Sequence, residues 1–106
     1  MSKVNLFIDD ERFPPDDGKS WKIVRSSEEA ICFFGNNGLP DHISFDHDLG
    51  GDDTSMIIIK WITGFILDTG YDEIPFSYTV HSQNPVGARN ITGALTSLSN
   101  FLENKR

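Results

Sequence analysis

His42-Ile43-Ser44-Phe45-Asp46-His47-Asp48-Leu49-Gly50-Gly51 is the stretch whose reading decides the fold. A short β-rich run ends on two carboxylates and an imidazole, and a pair of glycines follows. The same grammar occurs twice more: Val4-Asn5-Leu6-Phe7-Ile8 stops on Asp9-Asp10, and Phe76-Ser77-Tyr78-Thr79-Val80 stops on His81-Ser82. If these strands are parallel neighbours, all the reactive groups emerge at one edge of a sheet. In open α/β sheets that edge is where ligands bind.

Working outward, Val4 to Ile8 reads as a fully buried strand because only Asn5 interrupts its apolar run. Residues Glu11 to Ser20 hold two prolines and a glycine, which argues against a regular helix. Trp21 to Val24 reads as a second strand. Ser26-Ser27-Glu28-Glu29 matches a capping box, and the helix it opens presents Ile31 and Phe34 and stops between Gly35 and Gly38. The third strand is His42 to Asp46. After the Gly50–Thr54 loop, a helix from about Ser55 to Asp68 carries Ile58, Ile62, Phe65 and Ile66 at helical spacing. It also holds Ile57, Ile59 and Trp61, so it is apolar nearly all round. Such a helix is either covered on two sides or an interface between copies of the chain. The fourth strand is Phe76 to Val80. Asn84 suits an N-cap and Pro85 the first position of a last helix striped by Ile91, Leu95, Leu98 and Leu102. Strands alternating with helices predict a mostly parallel sheet with helices on both faces. The connection between the first two strands is barely long enough for a parallel crossover, which leaves the second strand's direction open.

Size and charge narrow the function. The 106 residues fit one domain, residues 1–106, without repeats or linker-like segments. A single cysteine, Cys32, excludes an internal disulfide and sits in the apolar run Ala30–Phe34, where it reads as a small buried hydrophobe. One thiol and no disulfide fit a reducing cytoplasmic setting. The first residues lack a signal-peptide core, and the longest apolar stretch, Met56 to Leu67, is too short to span a bilayer, so no membrane role is expected. Formal net charge is −7, from sixteen acidic and nine basic residues. That disfavours gripping a long nucleic-acid duplex. It leaves room for a small phosphate ligand or an RNA terminus if a divalent cation stands between the charges.

Three clusters carry the chemistry. Asp9, Asp10 and Asp46 are oxygen donors suited to a hard cation such as Mg²⁺ or Mn²⁺, and Arg12 can pair with a carboxylate or hold a phosphate oxygen. Asp48 is placed to orient the His47 imidazole, while Gly50-Gly51 permits a close ligand approach. His81 adds a second imidazole suited to acid or base work. Ser82 and Asn84 lie at a helix N-terminus that favours an anion, with Asn84 more simply a cap, and Arg89 follows one turn later. His42 begins its strand at the opposite edge and reads as structural. Asp52 and Asp53 read as capping residues.

LFIDDER (6–12), RSSEEAI (25–31), ISFDHDLGG (43–51) and VHSQNPVGARNI (80–91) together resemble the cyclic-phosphate-processing receiver domain family, a divergent relative of two-component receivers. The resemblance runs from Val4 to about Leu95. It implies a flavodoxin-like three-layer α/β sandwich with sheet order 2-1-3-4, which makes the first and third strands neighbours. Asp9 and Asp10 then match the family's acidic pair. Asp46 matches the position phosphorylated in ordinary receivers, His47 and Asp48 the added DHD element, and His81-Ser82 the HS element. The fifth strand and lysine of ordinary receivers have no evident counterpart.

The expectation is therefore a metal-dependent phosphoesterase acting on a cyclic nucleotide or an RNA 2′,3′-cyclic phosphate end. Asp9, Asp10 and Asp46 would hold Mg²⁺ or Mn²⁺. His47 and His81 would serve as acid and base with Asp48 in support, and Arg12, Ser82, Asn84 and Arg89 would bind substrate. Two rivals stand beside it: a module that sequesters a cyclic nucleotide without turnover, and a regulator phosphorylated on Asp46.

Overall fold

A computed structural model describes residues 3–105. Its elements are β1 (Asn5–Ile8), β2 (Trp21–Val24), α1 (Ser27–Asn37), β3 (His42–Phe45), α2 (Ser55–Thr69), β4 (Ser77–Val80) and α3 (Pro85–Asn104). The four strands form one sheet in the order β2-β1-β3-β4, and every neighbouring pair is parallel. The second strand's direction is thus settled. Residues 9–20 return the chain from the end of β1 to the start of β2 without a helix.

That helix-free return changes the layering. The steps β2 to β3 and β3 to β4 advance the same way across the sheet, so right-handed crossovers place α1 and α2 on one face. α3 packs beside α2 and joins them there. The step β1 to β2 runs the opposite way, so its crossover belongs to the other face, and it carries no helix. The expected helices on both faces are therefore corrected to a two-layer arrangement, while the parallel sheet and its order stand as expected.

The core records the same asymmetry. Leu6, Ile8, Val24, Ile43 and Phe45 from the sheet pack with Ala30 and Phe34 of α1, Ile58, Ile62 and Ile66 of α2, and Ile91, Leu95 and Leu102 of α3. Each of these side chains larger than alanine gains about 1.5–3 kcal/mol over an exposed one. Successive strand residues alternate sides, so Asn5, Phe7, Trp21, Ile23, His42, Ser44, Ser77 and Thr79 face the other way. Phe7 is buried there, with the Trp21 ring at its edge (5.8 Å) and His81 stacked on it (4.4 Å). β1 is accordingly apolar on two different surfaces and does not lie inside one core.

Local chemistry sets the helix ends. Ser26 Oγ accepts the Glu29 amide and Glu29 reaches back to the Arg25 amide, both at 3.1 Å, so the expected capping box forms with its return bond one residue before the cap. α2 lies between α1 and α3, which accounts for most of its apolar circumference, although Ile57 and Leu67 stay exposed. Cys32 corrects a second expectation. Ala30 and Phe34 take the buried face of α1, and Cys32, half a turn away, is exposed. Among the described residues no helix is long and apolar enough to cross a membrane.

Candidate functional site

The strand register assembles the site. Ile8, Val24, Phe45 and Val80 share the last formal row of the sheet. The backbone ladder continues one residue beyond it: the amides of Asp9, Asp46 and His81 donate to the carbonyls of Val24 (3.2 Å), Ile8 (3.0 Å) and Phe45 (2.9 Å). Asp9, Asp46 and His81 therefore follow the pleat, on the side away from the helices. His47, one residue further, turns toward the helix layer.

Asp9 is the hub. It is fully buried, and its Oδ1 accepts the amides of Glu11 (3.0 Å) and Arg12 (2.9 Å). Its Oδ2 accepts His81 Nε2 and Arg12 Nε, each at 3.0 Å. Burial alone would raise its pKa. The Arg12 and Glu11 amides, the His81 ring and the Arg12 charge outweigh that and hold it below the ordinary 3.8. Arg12 also reaches Asp46, with Nη2 3.5 Å from Oδ2. Asp46 is shifted the other way: burial, then the Asp9 charge, raise its pKa. Arg25, one residue past β2, closes the hub by donating to the carbonyls of Asp9 and Arg12.

A second imidazole–carboxylate pair stands on the helix side. His47 Nδ1 lies 2.9 Å from Asp48 Oδ1, and Asn84 Nδ2 donates to Asp48 Oδ2 at 3.1 Å. Those two bonds hold the Asp48 carboxyl below its ordinary pKa. Asn84 Oδ1 meanwhile caps the Gly87 amide of α3 at 3.0 Å, so both ends of its amide are committed. His47 lies directly under Gly87. A Cβ built there would come within 2.7 Å of His47 Cβ and Nδ1, a contact only glycine avoids. Ser55 anchors the loop between the pairs, its hydroxyl donating to the Asp46 carbonyl and its amide to that of His47.

A polar cleft of about 370 Å³ opens beside these pairs, lined by Asp10, Glu11, Arg12, Asp46, Asp48, Gly50, Gly51, Ser82, Gln83 and Asn84. Asp10 is exposed there, and Ser82 Oγ accepts the Asn84 amide, which leaves its own O–H to donate. The structure thus brings Arg12, Asp10, Asp46, Asp48, Ser82 and Asn84 together at one cleft. Asp9 and His81 stand behind that lining, bonded to each other, and His47 stands under α3, also outside it. Arg89 is exposed and not part of the cleft wall. Glu11, Gln83, Arg25 and Ser44, whose Oγ is 2.7 Å from His81 Nδ1, belong to the site and went unread in the sequence. For Ser44 the signal was its place two residues before Asp46 on the same side of β3.

Two groupings bear on a cation. Asp9, Asp46 and His81 each present one atom within 4.8 Å of the others. That spacing reflects the His81–Asp9 bond, and all of Asp9's acceptor capacity is taken by protein donors. The cleft wall is a better match: Asp10, Glu11, Asp46 and Asp48 face a single cationic side chain, Arg12. An anion entering there meets net negative charge unless a hard, oxygen-seeking cation accompanies it, so the donor set fits Mg²⁺ or Mn²⁺. Asp10 and Asp46 are the expected ligands present on that wall, and Asp9 is a support behind it.

Residues 4–97 match the family model described as cyclic-phosphate processing receiver domain. No curated protein and no solved structure matches the chain significantly.

Proposed function

The chain belongs to the cyclic-phosphate processing receiver domain family, and on that premise we propose that its cleft binds a cyclic phosphate and opens it by hydrolysis. One observation carries the proposal. Two imidazoles, each paired to a carboxylate, flank Asp46 from opposite sides of the sheet end: His81 with Asp9, and His47 with Asp48.

In-line opening adds water to phosphorus while the bond from phosphorus to one ribose oxygen breaks. A base takes the water proton on one side, and an acid protonates the departing oxygen on the other. Asp48 accepts the His47 Nδ1 proton, which leaves Nε2 as an acceptor for the water proton. On the opposite side the acid would be the His81 imidazolium, whose Nε2 proton leaves Asp9 Oδ2 for the departing oxygen while its Nδ1–H stays on Ser44 Oγ. Arg12 and the Ser82 hydroxyl supply donors for the phosphoryl oxygens. A divalent cation held by Asp10 and Asp46 would neutralise those oxygens as charge builds. The substrate would be a cyclic nucleotide or an RNA end bearing 2′,3′-cyclic phosphate, since a net charge of −7 disfavours a long duplex.

A second reading, retention of the cyclic phosphate without turnover, has its own support. Both ring nitrogens of His81 are engaged, and neither imidazole lines the cleft. His47→Ala separates the two. Hydrolysis predicts a fall in kcat of about 10²–10⁴-fold with ligand affinity retained. If the wild-type chain returns every ligand intact, binding without turnover replaces hydrolysis.

A further inference from the structure

Packing of α2 between its neighbours leaves one of its faces uncovered. Ser55, Ile58, Ile59, Ile62 and Ile66 are buried on the core side. At about 3.6 residues per turn, Ile57, Lys60, Trp61, Gly64, Leu67 and Asp68 share the opposite side. Ile57 is 47% exposed and Leu67 41%, and Lys60, Gly64 and Asp68 are exposed as well. Two large aliphatic side chains thus stand in water on a helix already packed on two flanks.

An open cleft lies on each side of this face. One, of about 500 Å³, runs between α1 and α2 and is lined by Ile31, Ile57, Trp61 and Phe65 among others. The other, of about 450 Å³, runs between α2 and α3 beside Met56, Leu67, Leu98 and the exposed Phe101. Trp61 is held rigidly in the first cleft by stacking on Phe34 (5.5 Å) and Phe65 (5.3 Å).

The face is complementary to itself. Lys60 and Asp68 are the only charged residues of α2, and they stand four residues either side of Gly64. Trp61 and Leu67 stand three residues either side of it. Among the described residues no ion pair joins Lys60 or Asp68 to another group. A twofold axis through Gly64, perpendicular to the helix, runs two copies of α2 antiparallel and exchanges the members of each pair. Lys60 then meets the partner's Asp68, and Asp68 the partner's Lys60, while Leu67 enters the partner's cleft beside Trp61. Gly64 permits the close crossing: a Cβ there would meet nothing within 4 Å in its own chain, so that space is open to the partner's backbone. Charge selects the same face. The chain carries −7 overall, which opposes contact between copies elsewhere, whereas on this face one lysine balances one aspartate.

We propose that a second copy of this chain docks on the outward face of α2, forming a twofold antiparallel pair that crosses at Gly64. None of the six residues of the face lines the acidic cleft, so that cleft stays open in both copies and the inference is independent of hydrolysis. With one helix contributed by each copy the contact is small, and the expected Kd is about 10–100 μM.

Sedimentation equilibrium of the full chain, from about 1 μM to 1 mM to bracket that Kd, is the test. The mass is expected to rise with concentration from 11.9 kDa toward twice that value. Lys60→Glu or Asp68→Lys alone sets like charges together at both contacts and weakens association about tenfold. The double exchange, Lys60→Glu with Asp68→Lys, restores it, and Leu67→Glu abolishes it. All four variants change exposed positions, and circular dichroism should find them folded. A wild-type chain that stays monomeric throughout overturns the proposal. So does a dimer that ignores the single reversals, or one that the double exchange fails to rescue, because its interface then lies elsewhere.

Discussion

Asp9 and Asp46 end neighbouring strands in one register row, yet their environments drive them apart. Asp9 has four protein donors and a lowered pKa; Asp46 has fewer, sees the Asp9 charge, and has a raised one. Removing the buried hub by Asp9→Ala is expected to cost about 3–5 kcal/mol, read as a lower urea midpoint, because Arg12 and His81 lose their partner. Asp46→Asn should act oppositely, raising the thermal midpoint at neutral pH while abolishing turnover, as expected where a site stores unfavourable charge. The signs of the pH dependence follow. The Asp9 contribution is complete above its ordinary value of 3.8 and is lost as pH falls through its lowered folded value. The Asp46 contribution is complete below 3.8 and is lost as pH rises through its raised folded value. Urea midpoints for the wild type and Asp46→Asn should therefore converge as pH falls toward 3.8. Gly87→Ala drives a Cβ into His47 and should cost about 1–3 kcal/mol, with a kcat loss that a remote Gly64→Ala does not share.

At the level of elements, the strand ends and helix caps were legible because their signals are local. Ser26 with Glu29, Asn84 with Pro85, and the three strand-end clusters fell where short-range chemistry put them. The layering was less legible. His42-Ile43-Ser44-Phe45 and Ser77-Tyr78-Thr79-Val80 alternate polar with apolar residues, the pattern of a sheet with only one covered face. The expectation of helices on both faces passed over that alternation, and with it the open face and the role of Ser44. Neighbouring of β1 and β3, on which the site depends, came from family resemblance, since strand order leaves no local trace. Another contact beyond sequence reach is Asp53, whose carboxylate accepts the Ser27 amide at 2.9 Å and ties the start of α1 to the loop before α2. Asp53→Ala should cost about 1–2 kcal/mol by urea unfolding.

The whole molecule separates its charges. An acidic cleft lies at the carboxyl edge of the sheet and a basic one at the amino edge, with the uncovered face between them. The overall charge of −7 conceals this division, which composition alone cannot reveal. Family membership was legible in the order of its motifs; the occupation of Asp9 and the placement of His47 under α3 depend on tertiary packing that no motif encodes. If the acidic cleft takes a cation, Mn²⁺ should raise the thermal midpoint of the wild type and leave Asp10→Ala unmoved, because only a ligand that binds the folded state stabilises it.

The most direct measurement is mass-resolved turnover with Mg²⁺ or Mn²⁺ present, offering 2′,3′-cyclic nucleotides, 3′,5′-cyclic nucleotides and an RNA ending in 2′,3′-cyclic phosphate. A product one water heavier, lost in His47→Ala and in EDTA, is the predicted result. Tight binding with every substrate recovered unchanged would contradict it.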